Sequence, residues 1–98
     1  MIIKKGVNLK GLKPEILLAL IIADGLHKDM IVTSAVRDKG PKSLHPYGYA
    51  ADEVYHGCDH DTHKDIVIEL KEKLGNQYDV LYHNAGSGWH IHIEFDPR

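Results

Sequence analysis

Two histidines and a glutamate alternate with apolar residues in the stretch SGWHIHIEFD, residues 87 to 96. Successive side chains of a strand point to opposite faces, so His90, His92 and Glu94 share one face, and Trp89 lies with the aliphatic residues on the other. The two histidines are then about 6 to 7 Å apart along the strand. At that separation one histidine can bind a metal ion while the other faces an open coordination position.

A second stretch, SLHPYGYAAD at residues 43 to 52, contains a histidine and an aspartate at short range. His45 leaves a segment rich in proline and glycine, and Asp52 follows seven residues later in a predicted strand. If Asp52 shares a face with Ala50 and Val54, its charge lies among apolar neighbours. An unpaired carboxylate is costly there, so a cation is the obvious partner.

Together the two stretches offer the ligands of a catalytic zinc site. His45, Asp52 and one histidine of the later pair supply three nitrogen and oxygen ligands, the number that catalytic zinc uses when a fourth position is kept for water. Zinc in such a site lowers the pKa of water to about 7 and polarises a carbonyl group, which predicts hydrolysis of an amide or ester. Surface histidines and a strand-end aspartate would give the same pattern without a metal.

A rival metal site lies in the stretch HGCDHDTH, residues 56 to 63. Its cysteine and histidines are close enough along the chain to hold a structural zinc, but their spacing does not match the usual paired pattern. A nucleophilic role for the cysteine is less attractive, because nothing in the sequence indicates an oxyanion hole or an orienting group. The residues of this rival site are His56, Cys58, His60 and His63.

The composition indicates one domain, residues 1–98, with a modest hydrophobic core. The 12 basic and 14 acidic residues are dispersed and give a net charge of −2, which argues against nucleic acid as a partner. The longest apolar run, residues 16–23, is too short for a bilayer, so we expect no membrane insertion. A single cysteine excludes an internal disulfide, whereas eight histidines are many for this length and favour metal binding.

The pattern of apolar residues predicts two helices. KPEILLALIIADG is apolar nearly all round, which indicates a buried helix with Pro14 in its first turn and Gly25 at its end. THKDIVIELKEKLG has apolar residues at helical spacing, which predicts an amphipathic helix with Thr62 as N-cap and Gly75 as its stop.

Four further segments are predicted to be strands, and they are DMIVTSAVRD, YAADEVY, YDVLYHN and WHIHIEF. KGPKSLHPYG carries two prolines and two glycines and is predicted to be a loop, and AGSG suits a hairpin connection between the last two strands. This order of elements predicts an α+β fold with a mainly antiparallel sheet and two main helices.

Three blocks of the chain resemble one enzyme family. SLHPYGYAAD reproduces the S-x-H-x-x-G-x-A-x-D signature of the zinc D-alanyl-D-alanine carboxypeptidases and dipeptidases. WHIHIE resembles the H-x-H closing motif of their peptidoglycan-cleaving relatives, and TSAVRD resembles the upstream segment that carries an arginine. The blocks occur in the family's order between residues 30 and 96.

The resemblance implies the compact fold that this family shares with the Hedgehog N-terminal domain, with one zinc ion held by His45, Asp52 and His92. Arg37 corresponds to the arginine that contacts a carboxylate or carbonyl group of the substrate, a task that suits its planar set of donors. Ser43 corresponds to the signature serine, which can hydrogen-bond the bound peptide. These roles are expectations drawn from the family.

The chain departs from the carboxypeptidase and dipeptidase branch at the position of the general base. In that branch a glutamate stands three residues before the last zinc ligand, where this chain has Trp89. His90, which corresponds to a residue beside substrate and metal, is the first choice for proton transfer, because an unperturbed pKa near 6.5 suits exchange at neutral pH. Glu94 and His83 are alternatives, and Glu94 can equally orient His92.

The resemblance therefore predicts a zinc peptidase that cleaves a peptide bond in the stem or cross-link peptides of bacterial peptidoglycan. Because no signal peptide is recognised, we expect a protein that is made in the cytoplasm and reaches the wall after release, as in phage-type lysis, or within a virion. A monomer is expected. The alternative is a non-catalytic binding module that keeps the same fold and zinc, and the missing glutamate favours it.

Overall fold

A five-stranded sheet with two helices forms the protein, as given by a computed structural model that describes residues 1–38, 43–84, 86 and 88–97. The strand order is β1-β2-β3-β5-β4, with β1 parallel to β2 and all other neighbours antiparallel. This confirms the predicted α+β class. The elements in chain order are β1 (Ile2–Ile3), α1 (Pro14–Asp24), β2 (Met30–Ser34), a 3-10 turn (His45–Tyr47), β3 (Ala50–Tyr55), α2 (His60–Leu74), β4 (Tyr78–Asn84) and β5 (Trp89–Phe95).

One face of the sheet is apolar, and the opposite face carries ionisable side chains. One face packs against both helices and forms the hydrophobic core, because alternate residues of each strand are apolar. The opposite face carries Asp52, His90, His92 and Glu94, which alternate with the core residues of β3 and β5. The core residues are Ile16, Ala19, Leu20, Ala23, Met30, Val32, Ala51, Tyr55, Ile66, Val67, Leu70, Val80, Ile91 and Ile93.

Helix α1 begins with Pro14 and is followed by Gly25, as its sequence predicts, but it is not buried all round. Leu17, Leu18 and Ile21 each expose about half of their surface, at 48%, 54% and 56%. Only the stripe that meets the sheet and α2 is covered, since a helix on one face of a sheet has a free outer side. In the described part of the chain, neither helix has the length and apolar character that crossing a membrane requires.

Helix α2 begins earlier than its sequence predicts. Asp59 is the N-cap and its Oδ1 accepts a hydrogen bond of 2.8 Å from the backbone N–H of Thr62, which was the predicted cap. A carboxylate at this position accepts a hydrogen bond from an otherwise unpaired N–H group. It also interacts favourably with the positive end of the helix dipole. The last part of the predicted polar loop is therefore the first turn of α2, which ends at Gly75 as predicted.

Strand β2 is shorter than the predicted segment and contains an irregularity close to its end. Val32 pairs with Glu53 and Ser34 pairs with Asp52, so Thr33 is an extra residue in β2. Such a bulge changes the face to which the following side chain points.

The two predicted loops are described only in part. In the loop after β2, residues 39–42 lie outside the described residues, and the end of this loop forms the 3-10 turn. Of the predicted AGSG connection, only residues 86 and 88 are described.

A buried carboxyl group lies on the core face of the sheet. Glu53 has no accessible surface, and neither of its oxygens has a hydrogen-bond partner among the residues that the structure describes. Burial raises the pKa of Glu53 from 4.5 to about 8, and the negative charges of Asp24 and Asp52 add to this shift. The folded protein therefore favours the protonated, uncharged acid.

Glu53→Gln should remove a pH dependence of stability. Because the folded-state pKa is raised, the contribution of Glu53 to stability is complete below pH 4.5 and is lost as the pH rises through about 8. At about 1.4 kcal/mol per pKa unit, the wild type should lose roughly 5 kcal/mol relative to Glu53→Gln over this window. Urea unfolding of both proteins at several pH values between 4.5 and 8.5 measures it. Glu69→Gln on the exposed side of α2 is the control, and equal pH slopes for wild type and Glu53→Gln would contradict the prediction.

Candidate metal centre

Three potential ligand atoms meet on the face of the sheet opposite the helices. His45, Asp52 and His92 each offer one atom, and these atoms all lie within 4.8 Å of one another. Asp52 and His92 are direct partners across β3 and β5, so the ladder between these strands fixes their separation. His45 joins them from the 3-10 turn just before β3. This group could hold a metal ion.

One ring nitrogen of His45, Nε2, is placed to bind a metal ion rather than to form a hydrogen bond within the described part of the protein. Its side chain is 2% exposed, and its Nδ1–H donates a hydrogen bond of 2.7 Å to the carbonyl of Ala35. The other nitrogen, Nε2, therefore has a lone pair, is buried, and has no hydrogen-bond partner in the described residues. It lies 3.4 Å from Oδ2 of Asp52. Ligand atoms around a tetrahedral zinc ion are separated by about 3.3 to 3.6 Å, so this distance already suits an ion.

Local backbone structure holds His45 in place. The hydroxyl of Ser43 accepts a hydrogen bond of 3.2 Å from the backbone N–H of His45. Gly48 ends the 3-10 turn with a φ of 79°, and a Cβ atom there would lie 2.1 Å from the carbonyl oxygen of Gly11. Only glycine fits both requirements. Ser43 thus contacts the backbone of a ligand residue, whereas its expected contact with a substrate stays a prediction.

Asp52 is the central carboxylate of the group and is 3% exposed. Its Oδ1 lies 2.8 Å from Nδ1 of His92, and its Oδ2 accepts a hydrogen bond of 3.3 Å from Nη2 of Arg37. Burial alone would raise the pKa of Asp52, but the polar contacts of His45 and His92 and the charge of His90 lower it well below its usual value. Asp52 is therefore an anion that can bind a cation at neutral pH.

Glu94 sets the orientation of the His92 ring. The Nε2–H of His92 donates to Oε1 of Glu94 at 2.8 Å, so Nδ1 is the nitrogen that faces Asp52. Burial lowers the pKa of His92, but the contacts of Asp52 and Glu94 outweigh it and raise the pKa overall. Between Nδ1 and Asp52 there must be a positive charge, either a proton or a metal ion, because a lone pair facing a carboxylate is repulsive.

Glu94→Ala should weaken metal binding without removing a ligand. Loss of a carboxylate that orients a ligating histidine typically costs 10- to 100-fold in affinity, about 1.4 to 2.7 kcal/mol. Glu94→Gln keeps an acceptor oxygen for Nε2–H, so it should recover most of that loss. Competition with a chromophoric chelator measures the zinc Kd of both variants. An unchanged Kd in Glu94→Ala would show that Glu94 does not orient His92.

His90 lies beside the three ligand atoms and is not one of them. Its Nδ1–H donates a hydrogen bond of 3.1 Å to the carbonyl of Gly88, and its Nε2 lies 3.6 Å from Oδ1 of Asp52. The ring of His83, on the neighbouring strand, contacts it edge-on at 4.7 Å between centroids. Nε2 of His90 is thus the nitrogen that faces the candidate centre, and it can exchange a proton there.

Trp89 points away from the candidate centre. Its ring lies 5.0 Å from the ring of His60 and 5.0 Å from the ring of Tyr82, on the side of the sheet where α2 packs. It is 48% exposed. Since residues 89 and 90 point to opposite faces of β5, the side chain of Trp89 lies on the face opposite the candidate centre.

Searches against protein-family models, curated proteins and solved structures found no match to this chain. The chemical role of the candidate centre must therefore be inferred from the residues that form it. Of the residues singled out from the sequence, His45, Asp52 and His92 converge, while Arg37 and His90 contact Asp52.

The rival site in residues 56 to 63 does not form a metal centre within the described ranges. His63 uses both ring nitrogens in the protein: Nδ1 donates to the carbonyl of Asp59 at 2.8 Å, and Nε2 accepts from the N–H of Tyr55 at 3.1 Å. The thiol of Cys58 lies 3.6 Å from the ring of His27. The other described group with converging ligand atoms consists of Asp79, Glu94 and Asp96, which are partly exposed carboxylates.

Ser34 lies next to the candidate centre and was not singled out in the sequence. It lies directly opposite Asp52 in the ladder between β2 and β3, so the two side chains share a face. Strict alternation from Val32 would place Ser34 on the core face, and only the extra residue Thr33 brings it to the site. A bulge of this kind has no clear signal in the sequence.

Proposed function

We propose that the protein is a zinc peptidase that hydrolyses a peptide bond in bacterial peptidoglycan peptides. The observation that carries this proposal is the buried, unpartnered Nε2 of His45, within the described residues, facing Asp52 and His92. Two imidazoles and one carboxylate are a ligand set that zinc prefers, whereas calcium and magnesium prefer oxygen ligands alone. The family resemblance of the two motifs supplies the substrate class.

Zinc held by His45, Asp52 and His92 would act as a Lewis acid, polarising a carbonyl group and activating water. The chain's own residues complete the chemistry. His90 takes a proton from the attacking water at its Nε2 atom and gives a proton to the leaving amine. Nε2 has this role because the Nδ1–H group already donates a hydrogen bond to the carbonyl of Gly88. Arg37 carries a permanent positive charge beside Asp52 and binds an anionic or carbonyl group of the peptide. Glu94 keeps the ring of His92 oriented.

Incubation of the protein with peptidoglycan and zinc tests this function. Mass spectrometry of the soluble products should show new free amino and carboxyl termini on stem or cross-link peptides, and none with metal-free protein. The absence of any release at high protein concentration, with one zinc bound per chain, would overturn the proposal.

A binding module that holds zinc but does not hydrolyse is the second candidate. The observation that favours it is Trp89, which points to the helix side of the sheet and leaves no carboxylate at the family's base position. This module would bind peptidoglycan fragments with a measurable Kd and leave them intact. Calorimetry with the fragments used in the digestion experiment separates the two functions.

A further inference from the structure

The two edges of the sheet differ in how well they are protected from another chain. Strand β1 forms one edge and has only two residues. Strand β4 forms the other edge with the seven residues YDVLYHN, and no strand pairs with its outer side in the part of the chain that the structure describes. Edge strands are usually protected by shortness, proline, lysine or a bulge. Strand β4 has none of these features, and its register with β5 is unbroken.

The backbone of β4 presents hydrogen-bonding groups on this outer side. The N–H of Asp96 donates to the carbonyl of Gln77 at 2.9 Å, so residues 77 and 96 form a hydrogen-bonded pair of the ladder between β4 and β5. Such pairs recur at every second residue of an antiparallel ladder, so the odd-numbered residues of β4 bond to β5 and the even-numbered residues point outward. The backbone groups of Val80 and Tyr82 accordingly have no hydrogen-bond partner among the described residues.

A groove makes the first half of this edge accessible. It has a volume of about 590 Å³ and is lined by residues 78–81, by residues near the end of α2 and by Glu94. Leu81 pairs with His92 across the ladder, lies on the face that carries the candidate centre, and is 40% exposed. A second strand can therefore approach β4 here, and it would cover an apolar side chain that is in contact with water.

Strand β4 is complementary to a second copy of itself. If a two-fold axis passes through Leu81, the two copies run antiparallel and residue 80 of each pairs with residue 82 of the other, which matches the outward-facing backbone groups. Leu81 then lies opposite Leu81 of the partner subunit. Asp79 lies opposite His83 of the partner subunit, and this pair occurs twice because of the symmetry. A carboxylate opposite an imidazole and an apolar pair are both favourable cross-strand contacts.

Other registers of the same pairing are less favourable. An axis through Val80 sets Asp79 opposite Leu81, so that a carboxylate meets an apolar side chain. An axis through Tyr82 sets Leu81 opposite His83 and shortens the paired segment. An axis through Asp79 sets two carboxylates opposite each other, which is destabilising. The register through Leu81 is also the one in which all seven residues of β4 are paired.

We infer that the protein forms a two-fold symmetric dimer through β4, in which the two sheets become one. The β4 edge is thus covered by a second copy of the chain, in place of the monomer expected from the sequence. Both candidate centres lie on the same face of the joined sheet, because the axis is perpendicular to it. His92, Leu81 and their symmetry mates share one row, so the Cα atoms of the two His92 residues are three strand spacings, about 14 Å, apart. The inference goes beyond the proposed function and does not rest on it.

The partner subunit also contributes a charge to the surroundings of the centre. The ring of His83 contacts the ring of His90 at 4.7 Å between centroids. Asp79 of the partner subunit lies opposite His83, so its carboxylate is separated from His90 by one side chain. Dimer formation therefore adds a negative charge to the polar face that carries the centre.

Sedimentation equilibrium over a wide range of protein concentrations tests the dimer. A seven-residue edge is a small interface, and small interfaces are typical of weak complexes, so the wild type should be a monomer when dilute and a dimer when concentrated. Leu81→Lys removes the apolar pair and sets two ammonium groups opposite each other, so it should weaken association by at least about tenfold. Leu18→Lys is the matched control, because it makes the same change at a position of α1 that is 54% exposed, and it should associate like the wild type.

Disulfide cross-linking tests the register, in a Cys58→Ser background that removes the natural thiol. Leu81→Cys sets two Cα atoms about 4.5 Å apart across the axis, within reach of a disulfide, and should give a covalent dimer. Asp79→Cys sets them more than about 13 Å apart and should not. A wild type that stays monomeric at every concentration, equal association of Leu81→Lys and wild type, a loss of association in Leu18→Lys, or efficient cross-linking of Asp79→Cys would each overturn the inference.

Discussion

Asp52→Asn should abolish tight zinc binding while leaving the fold intact. Asparagine has the shape of aspartate, so the site keeps its volume, but it cannot supply the anionic ligand that lies between His45 and His92. Zinc-finger peptides with four ligands gain about 10 to 16 kcal/mol from the metal, so the loss of one ligand should cost about 4 kcal/mol, or roughly a thousandfold in Kd. Chelator competition measures the Kd, and circular dichroism checks the fold.

Stability should follow metal binding in the same variants. A free zinc concentration of about 100 times Kd stabilises the wild type by about 2.7 kcal/mol, and this gain should vanish in Asp52→Asn. Asp65→Asn is the matched control, since it removes a carboxylate from an exposed position of α2 and should change neither zinc content nor the gain. One tightly bound zinc per chain in Asp52→Asn would show that the ligand set is wrong.

His90→Ala should lose activity and keep its metal. The imidazole lies beside the three ligand atoms without belonging to them, so zinc affinity should change little. Removal of a general acid–base group typically slows a reaction by about 100- to 10,000-fold, and the loss should fall on kcat with KM nearly unchanged. Steady-state cleavage of the peptide identified in the digestion experiment, together with zinc analysis of the same sample, measures both.

Two further variants make this result specific. His56→Ala changes an exposed histidine away from the centre and should be fully active. His83→Gln changes the ring that contacts His90, and it should reduce kcat less than His90→Ala does. A kcat within about threefold of wild type in His90→Ala would remove His90 as the acid–base group and direct attention to His83 and Glu94.

The features that could be predicted from the sequence are those that follow a regular spacing of apolar and polar residues along the chain. The two-residue alternation of β5 placed His90, His92 and Glu94 on one face, as the structure has them. The apolar spacing of α2 predicted its body and Gly75 as its end. The convergence of His45 with Asp52 and His92 was expected only from the resemblance of two motifs to an enzyme family, because no local rule brings a 3-10 turn to a distant strand.

Features that depend on tertiary contacts could not be predicted. Ser34 reaches the site because of a bulge, and a single extra residue reverses the face of everything after it. Glu53 lies on the core face of β3 with Ala51 and Tyr55, and its complete burial depends on the helices that cover this face of the sheet. The outer side of α1 stays exposed because the sheet covers only one side of the helix, whatever the helix carries on the other.

The position of β3 and β5 inside the sheet has a consequence for metal exchange. Each of these strands is hydrogen-bonded on both sides, so the backbone of Asp52 and His92 is held whether or not an ion is present. An arriving ion has little chain to order and needs only to lose water and displace a proton. The ion should therefore enter and leave without opening the fold, and different divalent ions could be substituted in one folded sample and compared on the same scaffold.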